Sequence, residues 1–136
     1  MAMVEYQAGV GKILWAAHSE RYSKIKNDHY LNWGIVNEAN KYGPFNKVVY
    51  YEKPLLKKTR QFYAGQYAEA LAQSEMPQWH LDQFHIKIDE YVLHHDSHAA
   101  AGYFTSPFRE ATILTVDAIG EWDTVSISTA RGRNVE

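Results

Sequence analysis

The chain has no cysteine among its 136 residues, which excludes disulfides, thiolate zinc sites and cysteine nucleophiles. Any metal must therefore rest on His, Asp and Glu. Charge of one sign is not in excess either, with 14 Lys plus Arg against 16 Asp plus Glu. That balance supplies no broad basic surface for nucleic acid and no acidic tail, so a phosphate contact has to be local. Long apolar runs are missing too. Residues Met1 to Val10 include Glu5 and Gln7 and nothing like a signal h-region, and no segment approaches the roughly 20 apolar residues of a membrane span. A cytoplasmic protein with neither a nucleic-acid nor a membrane partner is expected.

What is present suffices for one packed core. Hydrophobic side chains make up 46% of the chain and aromatic ones 14%, in a length too short for two ordinary domains. Strand and helix patterns alternate, which predicts an α/β fold. Lys12 to Ala17 reads as a short strand, and His18 to Asp28 as a charged loop or helical turn. Leu31, Ile35, Ala39 and Tyr42 recur at helical spacing between Asn32 and the stop Gly43-Pro44. Val48 to Tyr51 is β-rich and ends at Pro54, which can open a long helix with Leu56, Tyr63, Tyr67 and Ala70 as its buried stripe. Residues 74–87 carry no regular pattern. Tyr91-Val92-Leu93 reads as a strand, and Ser97 to Phe104 is helix-compatible until Ser106-Pro107. Ala111 to Val116 and Thr124 to Ser128 form a hairpin around Gly120. Trp15, Trp33 and Tyr63 are expected to pack, as are Tyr103 and Trp122.

The most informative stretch is His94-His95-Asp96-Ser97-His98, with Asp117 at the end of the following strand. Two imidazoles four positions apart share a helix face, and a strand-end carboxylate can close a third corner around one cation. The remaining histidines, His18, His29, His80 and His85, have no partner pattern and read as surface or hydrogen-bonded residues.

Five strings in chain order make this sequence resemble the carbamoyltransferases of the nodulation-protein and antibiotic-tailoring type. Ser19-Glu20-Arg21-Tyr22-Ser23-Lys24-Ile25-Lys26 is similar to that family's Glu-Glu-Arg-Phe-Ser-Arg-Ile-Lys, and Tyr51-Glu52-Lys53-Pro54 to its Tyr-Glu-Lys-Pro. His94-His95-Asp96-Ser97-His98-Ala99-Ala100 resembles its His-His-x-Ser-His-Ala-Ala signature. Thr105-Ser106-Pro107-Phe108 resembles Pro-Ser-Pro-Phe, and Asp117-Ala118-Ile119-Gly120-Glu121-Trp122 resembles Asp-Gly-x-Gly-Glu-Trp.

The resemblance implies a partial fold of the actin and sugar-kinase (ribonuclease H-like) type. Residues 1–104 would supply most of its first half and residues 105–136 the opening hairpin of the second. It also implies a fragment of a larger enzyme, whose second half and carboxy-terminal domain would be partners. That carboxy-terminal domain would make a carbamoyl-adenylate from carbamoyl phosphate and ATP, and the metal domain would pass the carbamoyl group to a hydroxyl of a small-molecule acceptor. His94, His98 and Asp117 match the family's metal ligands, a set that suits Fe(II), Zn(II) or Mn(II). His95, at another angle on the helix, would orient or deprotonate the acceptor hydroxyl. Lys26 and the Gly120 turn would meet phosphate, although Ala118 stands where the family usually has Gly, and a solvated basic turn explains Arg21, Lys24 and Lys26 equally well. A His-Asp-x-Ser-Ala stretch and a distant metal-binding Asp of the family are not found among these residues.

Other chemistries fit less well. A zinc protease needs Glu where His95 stands, so its general base is missing. A non-haem iron oxygenase normally carries its ligands on a double-sheet barrel, unlike this helix-rich pattern. The alternative is a non-catalytic remnant or partner-binding module, which would expose apolar sheet edges and associate with itself or with a missing half.

Overall fold

A computed structural model describes residues 1–26, 28 and 31–136; His29 lies outside them, as does Asn27 of the charged turn. Two compact units divide the chain, residues 1–48 with 73–87, and residues 49–72 with 88–136.

In the first unit, strands β1 (Ala2–Gln7) and β2 (Val10–Ala16) form an antiparallel hairpin. β1 has no clean apolar alternation and is not expected from the sequence. The turn explains it: Ala8 and Gly9 both take positive φ, 49° and 87°, the conformation that matches the twist of paired strands. Helix α1 (Glu20–Ser23) is a single turn in the charged segment. Helix α2 (Trp33–Asn40) starts where expected, because the Asn32 side chain accepts the Gly34 amide at 2.7 Å. Its inner face, Ile35, Val36 and Ala39, is almost wholly buried. The unpatterned stretch becomes a short 3-10 turn (Gln73–Glu75) and helix α3 (Pro77–Asp82), with Pro77 at its first position. Trp15 packs between Tyr42 and Tyr22, at ring separations of 6.2 and 6.5 Å. Trp33 does not become core. It touches Phe84 with one face, 5.7 Å between centroids, and leaves the other to solvent.

In the second unit, strands β3 (Val49–Tyr50) and β4 (Glu90–Tyr91) pair in parallel. The expected long helix after Pro54 is two helices, α4 (Pro54–Tyr63) and α5 (Tyr67–Leu71). Gly65 causes the break. At φ +78° it lets its own amide reach the Phe62 carbonyl and the Gln66 amide reach that of Gln61, the paired bonds that close a helix at a left-handed glycine. The expected buried stripe consequently fails: Leu56, Tyr63 and Tyr67 are exposed, Tyr63 at 79%, and Ala70 alone of the four is buried. Helix α6 (His94–Phe104) packs on the sheet of β5 (Glu110–Val116), β6 (Val125–Arg131) and a short β7 (Asn134–Val135). β5 and β6 are the expected hairpin, paired from Glu110 with Arg131 to Val116 with Val125. Ala99, Tyr103 and Ala130 form the buried seam, and the Tyr103 hydroxyl donates to the Arg109 carbonyl at 2.6 Å. Trp122 is not core. It is half exposed, with one face toward Tyr63.

The fold is thus mixed α/β with small sheets. Among the described residues, no helix is long and apolar enough to cross a membrane.

Candidate metal centre

Helix α6 begins at His94, after an extended Leu93 that provides no side-chain cap. A carboxylate from elsewhere takes that task. Glu121 accepts the His94 amide through Oε2 at 3.0 Å and the Lys53 amide through Oε1 at 2.6 Å. One buried side chain therefore satisfies backbone donors at the starts of both α6 and α4, and its negative charge sits at the positive end of α6. Ser97 tightens the same turn by donating its hydroxyl to the His94 carbonyl at 2.6 Å.

From that start the 3.6-residue period carries His98 to the face of His94, and their Nε2 atoms lie 3.1 Å apart. The β5–β6 ladder continues one step beyond Val116, the Asp117 amide donating to the Thr124 carbonyl at 2.9 Å, and delivers the Asp117 carboxylate to the same place. Asp117 Oδ2 lies 2.8 Å from His94 Nε2 and 3.7 Å from His98 Nε2. The hydrogen bond with His94, and then that from the Ala118 amide at 2.6 Å, hold the Asp117 carboxyl below the usual carboxylate range.

These three groups can hold a metal ion. With metal–ligand distances of about 2.0–2.2 Å, neighbouring donors around one cation are separated by roughly 3–3.5 Å. The three observed separations bracket that span, and two nitrogens with one oxygen suit a borderline divalent cation.

The other expected residues fall differently. Gly120 is buried against His94, and a Cβ there would stand 2.9 Å from the ring's Cδ2. Its amide donates to the Asp123 carbonyl at 3.1 Å within the turn, so this glycine serves close packing on the His94 ring. His95 is buried and its Nδ1 lies 3.0 Å from Ser126 Oγ on β6. Lys26 is exposed and belongs to the first unit.

Sequence reasoning assigned no role to Glu52 or Glu121, both buried beside His94. Glu52 Oε2 lies 3.9 Å from His94 Nδ1, and Lys57 Nζ holds Glu52 Oε1 at 3.0 Å. The one signal available was their presence in the strings Tyr51-Glu52-Lys53-Pro54 and Gly120-Glu121-Trp122.

Fold and site together define a mixed α/β protein whose helix start and strand end converge two imidazoles and a carboxylate. The chain belongs to the carbamoyltransferase family, whose amino-terminal model matches residues 5–135. It is also similar to the "Uncharacterized protein sll1178" of Synechocystis sp., 27% identical over 153 aligned positions covering 92% of this chain and 25% of that protein. The chain spans about a quarter of the length of that relative.

Proposed function

We propose that this chain is the metal-holding part of an O-carbamoyltransferase. In that enzyme a carbamoyl group, activated as an adenylate from carbamoyl phosphate and ATP, passes to a hydroxyl of a small-molecule acceptor. The observation that carries the reading is the convergence of His94 Nε2, His98 Nε2 and Asp117 Oδ2 in a chain of this family.

A carbamoyl carbonyl is a poor electrophile, and a divalent cation such as Fe(II), Zn(II) or Mn(II), when bound, supplies Lewis acidity toward its oxygen. The chain's own residues do the rest. His94 and His98 present nitrogens in one direction, and Asp117 adds the negative charge that favours a cation over water. Glu121 fixes the first turn of α6, and so the position of His94, through the backbone. Burial and the contact with Ser126 support His95 as a residue that fastens α6 to β6, in preference to a base that meets the acceptor. Lys26 and the Gly120 turn have less support as phosphate contacts, since the Gly120 amide already has an acceptor.

Metal content of the purified protein, measured by elemental mass spectrometry against the His98→Ala variant, tests this directly. Near-stoichiometric iron, zinc or manganese that disappears in the variant is the expected result, together with loss of carbamoyl transfer when the change is made in a longer enzyme of this family. Equal metal in both proteins would sink the ligand assignment.

One observation favours the partner-binding alternative. Leu114, Val116, Val125 and Ile127 form cross-strand neighbours on one exposed face of β5 and β6, a surface suited to further protein. A metal-free dimer in sedimentation would favour that reading.

A further inference from the structure

The two ring nitrogens of His94 face two different carboxylates. Nε2 lies 2.8 Å from Asp117 Oδ2. Nδ1 is buried without a hydrogen-bond partner, and Glu52 Oε2 stands 3.9 Å away. A neutral imidazole carries one hydrogen, and a carboxylate can only accept. Without a cation, the short contact to Asp117 keeps that hydrogen on Nε2 and leaves Nδ1 bare. A cation bound through Nε2 needs the lone pair there, so the hydrogen has to move to Nδ1.

An Nδ1–H in a buried position requires an acceptor, or it costs the desolvation of an unmade hydrogen bond. Glu52 is placed to be that acceptor. It is buried, it follows β3 and precedes Pro54 of α4, and its other oxygen is already held by Lys57 Nζ at 3.0 Å. A shift of about 1 Å brings Oε2 from 3.9 Å to hydrogen-bond distance. Histidines that ligate metals commonly donate their second N–H to a carboxylate, which fixes the tautomer and raises ligand basicity.

We infer that Glu52 is the positioning residue of the metal centre, accepting the Nδ1–H of His94 when a divalent cation occupies Nε2, with Lys57 holding the carboxylate in place. This rests on the metal-site reading above. Glu121 acts on the same histidine through its backbone amide, whereas Glu52 acts on the ring.

The test uses the purified chain with Zn(II) alone, in competition with a chromogenic chelator, for the unmodified protein, E52Q and H98A. E52Q should weaken Zn(II) by about 10–100-fold while leaving the metal-free melting temperature close to that of the parent. Nitrogen-15 spectra of histidine-labelled, Zn(II)-loaded parent protein should place the His94 hydrogen on Nδ1. A downfield-shifted, slowly exchanging Nδ1–H proton in the same sample reports its bond to Glu52 even if E52Q folds poorly. Unchanged affinity in E52Q, or an Nδ1–H that exchanges freely with solvent, overturns the role of Glu52 alone, whereas a hydrogen remaining on Nε2 in the loaded protein overturns ligation through that nitrogen. Zn(II) binding no tighter to the parent than to H98A overturns the metal-site reading and this inference with it.

Discussion

The two units of the molecule bury different things. The first closes around Ile35, Val36, Ala39 and Leu81, all apolar, whereas Glu52, Gln61, His95, Thr115 and Glu121, the buried polar residues among those described, belong to the second. Burying a carboxylate or an imidazole is costly unless each polar atom finds a partner. The second unit meets most of that cost with backbone amides, Lys57 and Ser126, and leaves Arg60 Nε, His94 Nδ1 and His95 Nε2 without a hydrogen-bond partner. An apolar core needs no such matching. Two of the buried polar residues, Glu52 and Glu121, gather at His94, while the centre of the first unit is aliphatic.

Changing one residue in each unit puts that comparison to the test. Ile35→Ala removes a side chain that is 0% exposed and should cost about 2–5 kcal/mol in urea unfolding, with metal content per folded molecule unchanged. Glu121→Ala leaves two backbone donors without their acceptor, at roughly 1–3 kcal/mol each, and should lower metal affinity as well. If both variants lost metal in proportion to stability, the distinction between the units would collapse.

A smaller perturbation sharpens the contrast. Gly120→Ala places a methyl group 2.9 Å from the His94 ring, so ring or turn must move, at about 1–3 kcal/mol. The same variant should weaken Zn(II) binding, read by chelator competition. Full retention of affinity would mean that the turn tolerates displacement without moving its ligand.

The smallest effect expected is electrostatic. Asp117 has its carboxyl lowered below the usual range by His94 and the Ala118 amide. A depressed folded-state value means that the stabilising interaction is present above the unfolded-state value and disappears as pH falls through the folded one. Carbon-13 titration of the metal-free protein should accordingly give Asp117 a midpoint below that of an ordinary aspartate, moving upward in His94→Ala. An unshifted midpoint in the parent protein would remove the hydrogen bond from the account.

Much of this was legible in the chain because it depends on near neighbours. Asn32 and the spacing of Ile35 and Ala39 announce α2, and the β-prone run Ala111 to Val116 with the alternation of Thr124 to Ser128 announces the β5–β6 hairpin. The His94 and His98 pairing follows from helix periodicity. The failures have local causes as well. Gly65 ends α4 by a left-handed turn inside an apparently continuous periodic stretch, and two positive-φ residues create the β1–β2 hairpin from a strand without alternation. Trp33, Tyr63 and Trp122 look like core by composition, yet each packs one ring face and leaves the other exposed.

By itself, then, the sequence determined the absence of thiol chemistry, the mixed α/β pattern, the family strings and the three candidate ligands, since residue type and short-range period carry all of these. Tertiary structure alone decided that Glu121 joins the starts of α4 and α6, that Gly120 lies on the His94 ring, that His95 is buried against Ser126, and that Glu52 faces His94 Nδ1. The physical reason is range: periodicity orients a side chain relative to its own helix or strand, but which distant donor it meets depends on how those elements pack.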